Sequence, residues 1–168
     1  SPPAHFISAM YESYIKHFNV SLRNYDDAVE EAEEAATERG LVMFEDYYTA
    51  FYYMNRGVLR ADMIEFIASI ESNVQVLTLD DAGTARARVR DQVVTEYDYT
   101  DAVADMKTAA EILPDMPYVH YNLGNLYCLS SEHINSIDNY TKAIEIYPYM
   151  GDAYFNRGLV LIYLKDKE

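Results

Sequence analysis

One cysteine, Cys128, is too few for an internal disulfide, and such a chain is expected in a reducing compartment, although exported chains without disulfides exist. Cations are scarce as well: 13 Lys and Arg stand against 28 Asp and Glu, for a net charge of −15. A phosphate backbone needs clustered Lys and Arg, so nucleic acid is not an expected partner. No apolar run approaches the ~18 residues of a membrane span, and membrane insertion is not expected. The chain opens Ser1-Pro2-Pro3 with no Met and no basic-then-apolar leader. A cytoplasmic placement is the expectation, with export the alternative if a leader precedes Ser1.

Catalytic motifs are missing too. None of His5, His17, His120 or His133 has a His, Cys, Asp or Glu three or four residues away, so no helical metal pair is seen. There is no Gly-x-Ser-x-Gly elbow, no pair of glycines close enough for a phosphate loop and no His-Glu-x-x-His. Cys128 has no cationic neighbour in sequence to make it a thiolate. No catalytic residue, metal or cofactor is expected. His120 and His133 fall on one helix pair that could bring them together, but ordinary surface or packing roles are expected of both.

What the chain does have is a period. Thirty-four residues separate Asn122 and Gly124 from Asn156 and Gly158, and Pro114 from Pro148. Ala109-Ala110-Glu111-Ile112-Leu113-Pro114 lies over Ala143-Ile144-Glu145-Ile146-Tyr147-Pro148, with apolar, small and breaker positions kept. A helix-turn-helix unit of this length cannot bury its apolar face alone and must stack on copies of itself. Gly124, Ser136 and Ala143 are small where two helices cross, and Pro148 ends a helix because it lacks an N–H. A large residue at Gly124 or Gly158 is expected to force helices apart.

The stretch from Pro117 to Met150 resembles a tetratricopeptide repeat. Leu123-Gly124-Asn125-Leu126-Tyr127 matches the first-helix signature, and Ser136, Tyr140, Ala143 and Pro148 match the second. Ser136 stands where the family usually has Ala, and His120 where it usually has Trp. The resemblance implies an all-α fold, a right-handed α-solenoid of antiparallel helix pairs. The Tyr-rich composition and the Asn-Arg-Gly form of the repeat resemble bacterial members.

One helical-repeat domain is thus expected over residues 1–168. It divides into divergent helix pairs at 4–81, a partial repeat at 83–116, a clear repeat at 117–150 and the first helix of a further, truncated repeat at 151–168. Apolar spacing predicts helices near 4–20, 24–39, 42–60, 62–79, 98–112, 117–130, 133–147 and 151–164. No strand alternation is seen. Asp80 to Thr84 reads as a loop, and the first helix of the partial repeat would fall between Gly83 and Glu96. Tyr25 to Val29 echoes Tyr99 to Val103. Asn55-Arg56-Gly57 echoes Asn156-Arg157-Gly158 at 101 residues, one short of three periods, which reads as a one-residue deletion.

In the resembling family the first helices line a concave groove. The corresponding positions here are Tyr118, Tyr121, Asn122, Asn125, Cys128 and Leu129, then Asp152, Phe155, Asn156, Leu159, Ile162 and Tyr163. None is basic, so an acidic C-terminal tail is not expected there; a neutral or basic internal segment of a partner is. Amides suit a peptide backbone because they both donate and accept. Asn122 and Asn156 have an equal alternative use, bonding to neighbouring helices. The acidic run Glu30, Glu31, Glu33, Glu34 and Glu38 reads as a solvated face, and Arg86, Arg88 and Arg90 as local partners of Asp80, Asp81 and Asp91.

The functional expectation is an interaction module, with a structural spacer or self-association domain as the alternative and an enzyme accessory domain behind both. The final helix lacks a second helix to cover it. The chain is therefore expected to be a segment of a longer repeat protein, or to form a homo-oligomer through that helix.

Overall fold

The computed structural model describes residues 1–14, 17–39, 43–77 and 97–167. Among them there are seven helices and no strand. They are α1 (Pro2–Tyr14), α2 (Phe18–Arg39), α3 (Met43–Leu77), α4 (Thr100–Ile112), α5 (Pro117–Leu129), α6 (His133–Ile146) and α7 (Gly151–Lys165). Each helix packs on the next in the chain. In addition α3 touches α5, and α5 touches α7. The odd-numbered helices therefore sit side by side, backed by α2, α4 and α6.

The crossings explain the register. A Cβ on Gly124 would lie 2.5 Å from the Tyr140 ring, so only glycine lets α5 and α6 approach so closely. Ser136, fully buried, donates from Oγ to the Gly124 carbonyl at 2.8 Å. The α1/α2 pair repeats this arrangement. There Ser21 donates from Oγ to the Ala9 carbonyl at 2.7 Å, and Ser21, Tyr25 and Ala28 are spaced as Ser136, Tyr140 and Ala143 are. In the second pair Gly57 of α3 faces α4, where a Cβ would meet the Ala102 carbonyl at 3.0 Å, Asp105 at 3.3 Å and Met106 at 3.4 Å. Ala102, Met106 and Ala109 are thus the counterparts of Ser136, Tyr140 and Ala143.

Three expectations change. The break between the first two helices comes after Tyr14, with α2 beginning at Phe18 and not near residue 24. Phe18 extends the apolar spacing of Phe6, Met10 and Tyr14, but Ser21 must already be in the second helix to meet Ala9. The helices expected at 42–60 and 62–79 are one helix, α3, because no Pro or Gly interrupts Leu59 to Met63 and Asp62 continues the helix rather than capping a new one. Finally, α4 packs on α3. The first helix sought between residues 83 and 96 lies outside the described residues, as do the loop at 80–84 and Arg86, Arg88 and Arg90.

The spacing of crossing residues shows why. Ala9 and Ser21 are 12 residues apart, as are Gly124 and Ser136, whereas Gly57 and Ala102 are 45 apart. The second pair therefore carries 33 extra residues between its crossing residues, part of them in the extension of α3 to Leu77. Gly57 and Gly158 are separated by two repeats plus this insertion, not by three repeats less one residue. The Tyr25 to Tyr99 echo was likewise out of register: Tyr25 does the work of Tyr140, while Tyr99 is the buried residue just before α4 and donates its hydroxyl to Glu65.

Charge replaces apolar packing at one crossing. Where α5 has Leu123 and Tyr127, both buried, α3 has Arg56 and Arg60. Asp105 of α4, also buried, accepts from Arg56 Nε at 3.0 Å, Arg56 Nη2 at 2.8 Å and Arg60 Nη1 at 2.7 Å. Arg56 Nη1 reaches back to Asp26 of α2 at 2.9 Å, so one guanidinium joins three helices. Burial alone would push the Arg56 guanidinium down, but the hydrogen bonds and charges of Asp105 and Asp26 outweigh it and move it up.

Short turns complete the C-terminal half. Pro117 opens α5 at a position where a missing N–H costs nothing. After α5 the chain turns through Ser131 in the left-handed region, φ 60°, and the Glu132 N–H closes on the Tyr127 carbonyl at 2.8 Å.

Candidate functional site

The crossing residues Ala9, Gly57, Gly124 and Gly158 give the odd-numbered helices a common register. Two positions before and one after each lie Ile7 and Met10, Asn55 and Val58, Asn122 and Asn125, Asn156 and Leu159. Three before lie Phe6, Met54, Tyr121 and Phe155. Ile7, Met10, Val58, Phe155 and Leu159 are exposed, and the amides are half-buried. The α1 and α3 members of this row escaped the sequence reading. The spacing of Ser21, Tyr25 and Ala28 carried the signal, since it places Ala9 twelve residues earlier as the crossing.

Of the twelve expected groove residues none is fully buried. Tyr118, Leu129, Asp152, Phe155, Leu159, Ile162 and Tyr163 are exposed; Tyr121, Asn122, Asn125, Cys128 and Asn156 are half-buried. Phe155 is the most open of the large apolar ones, at 67 %. Tyr163 is partly engaged, with the His133 ring edge-on at 4.8 Å and the Lys167 ammonium 4.5 Å above it.

The amides divide their labour. Asn125 Oδ1 accepts from the Tyr140 hydroxyl at 2.6 Å and from Asn156 Nδ2 at 3.1 Å, and Asn156 Nδ2 also lies 3.2 Å from the Tyr121 hydroxyl. This network ties α5, α6 and α7 together beneath the exposed row. Asn55 donates within its own helix, to the Phe51 carbonyl at 2.8 Å. Asn122 makes no side-chain hydrogen bond within the described residues. Asn156 therefore serves the neighbouring helix, whereas the half-buried Asn122 amide has no such partner among the described residues.

Other residues singled out by sequence behave as packing groups. Burial pushes the Cys128 thiol up, away from the thiolate form a nucleophile requires. Cys128 lies against the cluster around Tyr140 and Ala143. His120, buried, donates from Nε2 to the Pro114 carbonyl at 2.7 Å, while His133 is taken up by Tyr163. The two histidines therefore serve separate neighbours. Among the described residues no group of three His, Cys, Asp or Glu is placed to hold a metal ion. A cavity of about 730 Å³ opens where α4, α5 and α6 meet, lined by Tyr97, Lys107, Tyr127 and Leu129 among others. Of the twelve groove residues only Leu129 borders it.

Helix pairs stacked in order, with small residues at their crossings, give this chain the architecture of an all-α helical-repeat protein, and the α5/α6 pair, with Gly124, Ser136 and Tyr140 at its crossing, resembles a tetratricopeptide repeat. No protein-family model matches the chain. It is 27 % identical over 120 residues, 66 % of this chain and 70 % of the other, to the photosystem I assembly protein Ycf3 of Dioscorea elephantipes. A solved structure of MamA covers 95 % of the chain, which spans 80 % of that structure's length, at 19 % identity and a TM-score of 0.37. A MamA RS-1 double mutant covers 95 % and 86 % at 13 % identity and a TM-score of 0.40. No helix of the described residues is long and apolar enough to cross a membrane.

Proposed function

We propose that this chain is a protein-interaction scaffold that holds an extended, neutral or basic segment of a partner along the row formed by its odd-numbered helices. The observation that carries the reading is the distribution of exposed large apolar side chains. Ile7, Met10, Val58, Phe155 and Leu159 stand exposed at three positions that flank the crossing residues of α1, α3 and α7. A row of this kind supplies contact area, and the Asn122 amide supplies both a donor and an acceptor for a peptide backbone. The similarity to a protein named for assembly supports a scaffold over a catalyst. The absence of any Lys or Arg among the twelve positions, together with Asp152 at one end, favours a segment without acidic residues.

The test is an array of neutral, basic and acidic 15-residue peptides, followed by titration of the strongest binder against variants. Binding is expected to weaken about tenfold with Asn122→Ala or Phe155→Ser and to persist with Ile134→Ser, which changes an exposed residue of α6. Selection of acidic peptides, or equal binding by all three variants, overturns the proposal.

A further inference from the structure

The turns that lead into α5 and α7 lie at the same edge of the stack, because each follows an even-numbered helix and precedes an odd-numbered one. One period apart, they present the same three side chains. The α4/α5 turn carries Glu111, Asp115 and Tyr118, and the α6/α7 turn carries Glu145, Tyr149 and Asp152, with Asp and Tyr exchanged between the second and third places. All six are exposed, Tyr118 at 58 % and Tyr149 at 85 %. Tyr147, exposed as well, stands edge-on to Tyr149 with ring centres 6.0 Å apart.

Exposure at this edge belongs to the repeat and not to the chain's end. Glu111, Asp115 and Tyr118 stay open although α6 and α7 follow them, so a further repeat after α7 would leave Glu145, Tyr149 and Asp152 open too. Two of the expected groove residues, Tyr118 and Asp152, thus stand at this edge, one turn before Tyr121 and Phe155.

Charge here has one sign. Residues 108–119 and 143–156 hold four acids and no Lys or Arg, and none of the four acids makes an ion pair within the described residues. Lys107, just before the first stretch, lies over the Tyr127 ring at 5.8 Å instead. Open tyrosine faces beside unpaired carboxylates attract a guanidinium doubly, since its plane stacks on a ring while its N–H fork meets a carboxylate. The chain uses that combination within itself: Arg56 lies over the Tyr53 ring at 5.2 Å while its nitrogens reach Asp105 and Asp26.

We propose that this edge docks an extended, arginine-rich segment of a partner protein. Because α5 and α7 touch, their axes run about 10 Å apart, a distance an extended chain covers in about three residues. Arginines spaced by three therefore bring one guanidinium to each turn. The chain's own Arg86, Arg88 and Arg90 are a poor source, because they belong to the connection from α3 to α4, at the opposite edge. The 13 residues of α4, about 20 Å of helix, stand between. The proposal needs no apolar side chain from the partner, so it can fail or hold without the exposed row.

The test is a fluorescence anisotropy titration of a labelled peptide of five Arg-Gly-Gly repeats, beside its Lys-Gly-Gly counterpart. The arginine peptide is expected to bind saturably, and the lysine peptide about tenfold more weakly because lysine offers no planar fork. Tyr118→Ser with Tyr149→Ser should weaken binding about tenfold, as should Asp115→Asn with Asp152→Asn. Glu30→Gln with Glu34→Gln removes equal charge from exposed positions of α2 and should change affinity less than about twofold. All of these side chains are exposed, so circular dichroism and the urea midpoint should match the parent. No saturable binding, equal affinity for the two peptides, or unchanged affinity in the tyrosine pair overturns the proposal. Equal weakening by the two pairs of acid variants also does, since it shows attraction to net charge alone. Binding that emerges only once Arg86, Arg88 and Arg90 are changed to Gln assigns the edge to arginines of this chain or of a second copy, and overturns the partner segment.

Discussion

Asp105 of α4 receives both Nε and Nη2 of Arg56 of α3, at 3.0 and 2.8 Å, in a space that the α5/α6 pair fills with Leu123 and Tyr127. A buried ion pair contributes little net stability but is costly to break, because the remaining charge stays desolvated. Asp105→Ala leaves Arg56 only its bond to Asp26 and takes the nearest carboxylate from Arg60, and should cost about 3 kcal/mol in urea unfolding. Copying the other crossing with Arg56→Leu, Arg60→Tyr and Asp105→Asn together should recover most of that loss. A triple variant as unstable as Asp105→Ala would show that the charges are required in themselves.

The same substitution at two glycines should have opposite signs. Gly124→Ala drives a Cβ to 2.5 Å from the Tyr140 ring and should destabilise by about 1–3 kcal/mol through overpacking. Gly158→Ala meets open space in the middle of a helix and should stabilise by up to about 1 kcal/mol, the propensity difference between the two residues. Thermal denaturation of the two variants beside the parent measures both.

The crossing residues also mark where sequence sufficed and where it did not. Residues 117–146 were legible because Gly124, Ser136, Tyr140 and Pro148 stand at uninterrupted spacing, and the two helices they define are α5 and α6. The first pair was harder to read because Ala9 replaces glycine and the apolar spacing runs on through the turn into Phe18. The second pair was hidden by its 33 extra residues: a fixed period cannot find a partner displaced by nearly its own length. Arg56 and Arg60 compounded this, since charges at core positions look like a solvated face until Asp105 is brought to them. Of the expected site residues, the division between Asn122 and Asn156 depended on which amide neighbours α5, something spacing does not encode.

Alkaline titration should separate the tyrosines. Burial pushes the Tyr25 phenol up to about 12, and burial is also the leading cause that takes Tyr140 to about 12. Tyr53 reaches about 12 through burial first and then its hydrogen bond to Glu33. In the unfolded chain each would ionise near 10. The folded state thus favours the neutral phenol, a contribution that is whole below pH ~10 and is lost as pH rises through about 12. Absorbance at 295 nm should show most of the 17 tyrosines ionising near 10 and a later group near 12 that coincides with loss of helical circular dichroism. A single transition near 10 with the helices intact would contradict the burial of Tyr25 and Tyr140.

Asn122 and Asn156 occupy equivalent positions one period apart, yet their replacement should be felt in different measurements. Asn156→Ala removes the donor that joins Asn125 Oδ1 and the Tyr121 hydroxyl to α7, so stability should fall by about 1 kcal/mol. Asn122→Ala removes no hydrogen bond within the described residues, and the urea midpoint should stay where it is. A peptide lying along the exposed row would lose its amide contact at Asn122, so affinity should fall while stability does not. For Asn156→Ala both should fall together, since loosening α7 displaces Phe155 and Leu159. If Asn122→Ala lowered stability as much as Asn156→Ala and left peptide affinity unchanged, the amide at position 122 would belong to the scaffold, and the proposed binding row would lose the polar group assigned to it.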